Sequence, residues 1–411
     1  MKKILKGMLI LFILSLAAAA GLYNYGKGVL KSIPDQKIKS NLEILEVKSG
    51  QTPMQIISET IENPLDDIWY RLWFRQNPQM TKIKHGYYGL NGVYTLSDLF
   101  TKLTTGRQLS LNFTIVAGTR ADKILSNLSH ATLVDHTMQD EKTYADYLSH
   151  AKLSQSSLEG LFLPDTYAYD PNERDTVILN FAHDSLVKYL NQEWENRDHG
   201  VSCKSAYEAL IMASIIEKET SVADEYPLVS AVFNNRLKKG MRLQTDPTVI
   251  YGVKDRYSGK ITKSDLKDDN PYNTYVIYGL PPTPIAMASK ETIHAALHPA
   301  DVDYLFFVAN GNGGHTFTSN LRDHNNAVNE YKRLLRENKA KNRKNLVKEQ
   351  IINVSNELEN AIGDEAKGLG SLVKTALDTN LDDKVKTEAE NKNADENKSA
   401  DENKPDEKTG R

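Results

Sequence analysis

Two glutamates one residue apart, Glu217 and Glu219, close the stretch Tyr207-Glu-Ala-Leu-Ile-Met-Ala-Ser-Ile-Ile-Glu-Lys-Glu-Thr220. Leu210, Ile211, Met212, Ile215 and Ile216 put apolar side chains on nearly every side of the helix this stretch predicts, so it belongs in a core. At about 100° per residue, Glu217 lies over Ser214, Ala213 and Leu210, the positions three, four and seven back. A carboxylate there is poorly solvated and faces the negative end of the helix dipole. Both effects favour the neutral acid and raise its pKa. A carboxylic acid still protonated near neutral pH is what general acid catalysis requires. Glu219 is the internal rival. It lies about 200° further round the helix, so the two carboxylates cannot serve one cleft. The bland alternative is a Glu-Lys-Glu triplet fraying into solvent.

Other chemistries are excluded or demoted by their missing residues. There is no H-E-x-x-H, no G-x-S-x-G and no P-loop. The glycines of Asn310-Gly-Asn-Gly-Gly314 form a hairpin turn; Thr316 stands where a dinucleotide fingerprint needs its last glycine. His294, His298, His315 and His324 lack metal spacing with a clear carboxylate partner, so neither a metal nor a cofactor is expected. His315 sits at a turn-to-strand junction, where a polar tip reaches a cleft or makes a structural hydrogen bond. Cys203 is the only cysteine, which leaves no intrachain disulfide and no Cys-rich zinc site. A formal net charge of −3 gives no global attraction to nucleic acid.

The elements that must position these residues follow an α+β pattern. Lys2, Lys3 and Lys6 precede an apolar run from Met8 to about Tyr23, long enough to cross a membrane with the N-terminus in the cytoplasm. A cleaved signal peptide is the rival, with Ala17–Ala20 offering small residues. Leu22, Tyr23 and Tyr25 continue the run into an aromatic belt and favour an uncleaved anchor over 1–25. A polar linker is expected over 26–41. Residues 42–130 read as a small module of short strands and helices, opened by the capping box Thr52-Pro-Met-Gln55. Its Trp69, Trp73, Phe74, Tyr87 and Tyr88 fit a core better than a sugar platform.

Residues 131–337 form the larger region. It begins helical, broken at Leu158–Tyr169 by a loop with strand character that carries Glu159. After the Tyr207–Thr220 helix come a helix over Leu228–Lys239, a strand-like Tyr272–Tyr278, a helix over Lys290–Leu297 and a hairpin of Tyr304–Ala309 with His315–Thr318. Beyond Asn338 the chain is charged and poor in aromatics, and it ends in an Ala-Asp-Glu-Asn-Lys repeat. A largely disordered tail is expected over 338–411, with a helix conceivable near Leu346–Leu358.

Ala213-Ser-Ile-Ile-Glu-Lys-Glu-Thr220, Val232-Phe-Asn-Asn-Arg-Leu237, Gly240-Met-Arg-Leu-Gln-Thr-Asp-Pro-Thr-Val-Ile-Tyr-Gly252, Tyr272-Asn-Thr-Tyr275, Gly279-Leu-Pro-Pro282 and Gly313-Gly-His-Thr-Phe317 together resemble the endolytic murein transglycosylases, the YceG-like or MltG family. Leu158-Glu-Gly160 and Leu163-Pro-Asp-Thr166 fit as well. The resemblance implies a membrane-anchored enzyme with a LysM-like module over 42–130 and a catalytic domain over 131–337. It implies cleavage of the bond between N-acetylmuramic acid and N-acetylglucosamine without water, leaving 1,6-anhydro ends. It also implies association with the peptidoglycan synthases. Its catalytic glutamate, the first of the Glu-Lys-Glu-Thr motif, falls on Glu217. Glu159, Gln244, Thr245, Asp246, Tyr272, Asn273 and His315 are the candidate sugar contacts. A water-using muramidase and a non-catalytic wall-binding scaffold stay open as alternatives.

Overall fold

Local capping chemistry sets the small elements at the start of the chain. The Thr52 hydroxyl accepts the Gln55 backbone N–H, and the Gln55 side chain accepts the Thr52 N–H, so two otherwise unpaired donors are satisfied at once. Thr95 and Asp98 do the same at a later helix. The structure is a computed structural model that describes residues 2–138, 147 and 157–362. It divides into two compact units: residues up to Gln192 together with Thr283–Lys290, and Glu193–Pro282 together with the residues from Glu291 onward.

The first unit begins with helix α1 (Lys2–Ser32), the one helix among the described residues long and apolar enough to cross a membrane. Its residues Met8 to Leu14 are exposed. Its last turns occupy part of the expected linker. There Tyr25 meets Trp69 edge-on at 6.1 Å, and Ile33 just beyond is fully buried. Then come β1 (Ile44–Val47), α2 (Pro53–Thr60), α3 (Asp67–Gln76) and β2 (Gly86–Gly89), with β1 and β2 paired antiparallel from Ile44↔Gly89 to Val47↔Gly86. Helix α4 (Leu96–Thr105) packs Leu96, Leu99, Phe100 and Leu103 into a core with Ile56, Tyr70 and Tyr88. Trp73, Phe74 and Tyr88 are buried there, the core role expected of them.

A second core in this unit joins β3 (Leu111–Ile115), α5 (Ala121–Leu128), β4 (Val134–Asp135), β5 (Asp165–Tyr169), β6 (Glu173–Arg174) and the start of α6 (Asp175–Glu195). Strands β3 and β5 pair antiparallel; β4 and β6 pair parallel. The loop at Leu158 therefore leads into a strand, as expected. Most of the helical stretch expected before it lies outside the described residues. Asp175 is buried and accepts the Thr137 and Met138 backbone N–H groups at 2.8 Å each, which ties these two residues to α6.

The second unit is built around α7 (Ala206–Glu219), within a residue of its expected bounds. The Ser205 hydroxyl accepts the Glu208 N–H at its start, and every residue from Ala209 to Ile216 is buried. Its main neighbours are the helices α8 (Tyr226–Lys238) and α9 (Asp246–Gly252). Tyr272–Tyr278 is a run of turns, not a strand, because Asn273 draws the backbone back on itself: Val276 and Ile277 both donate to its carbonyl at 2.9 Å. Helix α10 (Lys290–Leu297) and the hairpin β7 (Phe306–Ala309) and β8 (His315–Thr318) follow. Helix α11 (Leu321–Ile362) continues past Asn338, where the tail was expected to begin. Residues 363–411, with the repeat, lie outside the described residues.

Gly160 is a position no other residue can fill. Its φ is +76°, and a Cβ there would lie 2.3 Å from the Pro284 ring. Gly160→Ala should lower stability by about 2–4 kcal/mol through left-handed strain and overlap with a rigid ring. Gly92→Ala, which has φ +76° but open space around it, should cost only about 1 kcal/mol. Denaturant unfolding of both variants checks this; equal losses would remove the role of the Pro284 contact.

Candidate functional site

The two glutamates at the end of α7 point to different partners. Glu217 accepts a hydrogen bond from the Thr292 hydroxyl at 2.8 Å, from a buried side chain on α10. Glu219, about 200° away round the helix, accepts one from the Thr245 hydroxyl. Thr245 is delivered by an unusual backbone. Gln244 has φ +52°, a left-handed conformation that costs a non-glycine residue about 1 kcal/mol. Two hydrogen bonds hold it: Gln244 N–H to the Thr274 carbonyl at 3.1 Å and Thr245 N–H to the Thr274 hydroxyl at 3.0 Å. The Thr248 and Thr274 hydroxyls meet at 2.8 Å and complete a buried threonine cluster.

Glu219 is half-buried, as Glu217 is, with the Thr245 hydroxyl against its carboxyl. Burial pushes its carboxyl up to about 7 from an ordinary 4.5. The Thr245 hydrogen bond pulls it down, the Asp246 carboxylate pushes it up, and His315 and Arg236 pull it down. Arg236 lies on α8, buried, with Nε donating to the Leu305 carbonyl at 2.6 Å and Nη1 to the Leu243 carbonyl at 2.7 Å. Its cation is thus fixed by backbone oxygens near the acid it influences. The acidity of Glu219 is depressed where the Thr245 loop meets that side of the helix end.

The same helix end is braced by a carboxylate–imidazole pair. Glu225 accepts from the His315 backbone N–H at 2.6 Å, from His315 Nδ1 at 2.7 Å and from the Thr220 hydroxyl at 2.8 Å. Burial works against the Glu225 anion, but the His315 and Thr220 hydrogen bonds outweigh it and hold its pKa below the usual range. The close approach needs Gly314: a Cβ there would lie 2.6 Å from Glu225 Oε1.

Of the sequence-predicted residues, Glu217, Glu219, Thr245, Asp246 and His315 gather around the end of α7. Gln244 is exposed beside Thr245, and Asp246 accepts from the Tyr275 hydroxyl at 2.7 Å. Tyr272 is half-buried against the Tyr251 ring, with centroids 4.7 Å apart. Asn273 is buried, and its amide is committed to backbone: Nδ2 donates to the Asp265 and Asp268 carbonyls, and Oδ1 accepts from Tyr275 N–H. It shapes the loop. Glu159 lies in the first unit, buried, where it accepts the Ala121 N–H at 3.0 Å at the start of α5. Glu225, Arg236, Tyr275 and Thr292 were not singled out. Arg236 and Tyr275 lay inside motifs already quoted, and an arginine within the apolar run of α8 was a usable signal. Nothing local marks Glu225 or Thr292.

The sequence profile of the YceG-like family matches residues 45–330. A Bacillus subtilis protein named endolytic murein transglycosylase is 31% identical over 332 residues, spanning 76% of this chain and 90% of that one. A Streptococcus pneumoniae protein of the same name is 25% identical over 290 residues, 61% of this chain; the match spans about half (51%) of the pneumococcal protein. The crystal structure of a yceG-like protein from Listeria monocytogenes is 27% identical, with a TM-score of 0.44, covering 69% of this chain and 97% of that chain.

The raised Glu219 carboxyl makes stability depend on pH. Its neutral form contributes fully below about pH 4.5, and that contribution is lost as pH rises through about 7. Glu219→Gln keeps the shape and removes the ionisation. Between about pH 5 and about pH 8 the wild type should lose about 2 kcal/mol more than the variant. Denaturant unfolding at both pH values checks it; parallel losses would mean that Glu219 is not held neutral.

Proposed function

The chain belongs to the YceG-like family, and on that footing we propose that it is a lytic transglycosylase that cuts peptidoglycan glycan strands. The match of 31% identity across 90% of the Bacillus protein carries this reading. Within it, Glu219 is the acid, in place of Glu217. What supports Glu219 is its pKa of about 7 and its contact with Thr245 in the Leu-Gln-Thr-Asp-Pro-Thr segment. Glu217, half-buried and bonded to Thr292, is the alternative that the family motif favours.

The chemistry follows from one carboxyl poised near neutrality. Protonated Glu219 gives its proton to the glycosidic oxygen between N-acetylmuramic acid and N-acetylglucosamine, and the bond to the anomeric carbon breaks. Positive charge develops at that carbon. The carboxylate left behind then takes the proton of the muramic C6 hydroxyl as its oxygen closes on the same carbon. The product is a 1,6-anhydro end, the acid is regenerated, and no water is consumed. A group titrating near 7 serves both half-steps with little mismatch. No second carboxylate is required to activate water, unlike the paired-carboxylate glycosidases.

The remaining parts fit the same reading. Helix α1 is a single-pass anchor, and Lys2, Lys3 and Lys6 hold its N-terminus in the cytoplasm. The order β1-α2-α3-β2, closed by one antiparallel pair, supports a LysM-like module that holds glycan. A cutter tethered in this way acts on strands near the membrane, where peptidoglycan synthases work, and sets strand length there.

Turnover of isolated glycan strands by the exported region tests the proposal. Wild type should yield products with the mass of anhydro ends. Glu219→Gln should cut the rate by about 10²–10⁴-fold, and Glu217→Gln by far less. The reverse ranking returns the acid to Glu217. Reducing ends would make the protein a hydrolase, and binding without cleavage would make it a scaffold.

A further inference from the structure

Local spacing offers His294 and His298 no carboxylate partner; the fold supplies one. Glu193, near the end of α6, places Oε2 2.7 Å from His294 Nδ1 and 3.6 Å from His298 Nε2. The two imidazoles come from positions four apart along α10 and its end. Their rings stack with centroids 4.3 Å apart at 26°, so one nitrogen of each converges on the same oxygen. One donor atom from each of the three residues falls within 4.8 Å of the others. We propose that Glu193, His294 and His298 form a binding site for a divalent transition-metal ion, zinc foremost.

Behind the His298 ring, its Nδ1 lies 3.0 Å from Asp198 Oδ1. A carboxylate on the far nitrogen fixes the tautomer and turns the ring, the usual support behind a histidine ligand. Asp198 is itself held there, since its backbone N–H donates to the Leu297 carbonyl at 3.1 Å. Donors on tetrahedral zinc stand about 3.3 Å apart. Glu193 and His294 need to separate by only about half an ångström for that spacing, and the exposed His294 side chain has room to move. Two imidazoles and a carboxylate suit zinc over magnesium or calcium, and the missing cysteine ligand excludes a thiolate-type structural site. His294 lies about 200° round α10 from Thr292, so the site is separate from the Glu217 contact. Arg197, the neighbouring cation in sequence, is folded over the Trp194 ring at 4.0 Å.

The test is zinc titration of the full chain in detergent after stripping with a chelator. One equivalent should bind, with a rise in unfolding temperature that saturates at that ratio. X-ray absorption should find nitrogen and oxygen neighbours alone, at about 2.0 Å. The His294→Ala/His298→Ala pair should abolish both signals while keeping the metal-free unfolding temperature. Asp198→Asn should weaken binding about 10–100-fold. Glu193→Gln, close in shape to the native residue, should also lose the equivalent and serves if the double variant fails to fold. A wild type that takes up no zinc overturns the proposal, as does zinc uptake that is unchanged when these ligands are replaced.

Discussion

The second unit depends on one unfavourable placement: a carboxyl at the end of a helix whose preceding turns are all buried. An ionised carboxylate in such a place loses hydration, and only compensating hydrogen bonds or cations restore the balance. Glu219 receives a partial restoration. Thr245 donates to it, and Arg236 and His315 act from nearby, but Asp246 opposes them. The result is a group balanced between its two protonation states near neutral pH. A stronger cation contact would fix it as an anion, and complete isolation would fix it as a neutral acid. The surrounding loops make sense as means of holding that intermediate condition.

Those loops are held by backbone commitments more than by apolar packing. Arg236 spends its guanidinium on carbonyls of two separate segments, at Leu243 and Leu305. Asn273 spends its amide on three backbone groups. The Thr245 backbone N–H and the Thr248 and Thr274 hydroxyls lock the start of α9 against the turn at Asn273. Glu225 ties the hairpin to the residue that ends α7, through His315 and Thr220. Each tie satisfies a buried polar group that would otherwise be costly. Together they fix the atoms around Glu219 without adding a full charge to its contacts.

The two glutamates also show how one helix end supplies two environments. A step of two residues turns the side chain through about 200°. Glu217 meets the Thr292 hydroxyl on α10, while Glu219 meets the Thr245 loop and the electrostatics of α8 and the hairpin. The difference in their surroundings, and not their residue type, separates their chemistry.

The sequence by itself determined the elements whose signals are local. The apolar helix over Tyr207–Thr220, the capping boxes at Thr52 and Thr95, the helix over Lys290–Leu297 and the return strand His315–Thr318 were all legible from periodicity, caps and turn residues. It also singled out Thr245, Asp246 and His315, which stand in recognisable segments and which the fold gathers near the end of α7. Only the tertiary structure decided which glutamate meets the Thr245 loop. Helix periodicity describes a side chain's neighbours within its own helix and says nothing of the loop that covers it. For the same reason Glu225 and Thr292 were invisible, since their partners lie far along the chain. Tyr272–Tyr278 looked like a strand by composition and became turns because Asn273 outcompeted a ladder for the backbone. Glu193 joined His294 across 101 positions, a pairing that no local spacing records.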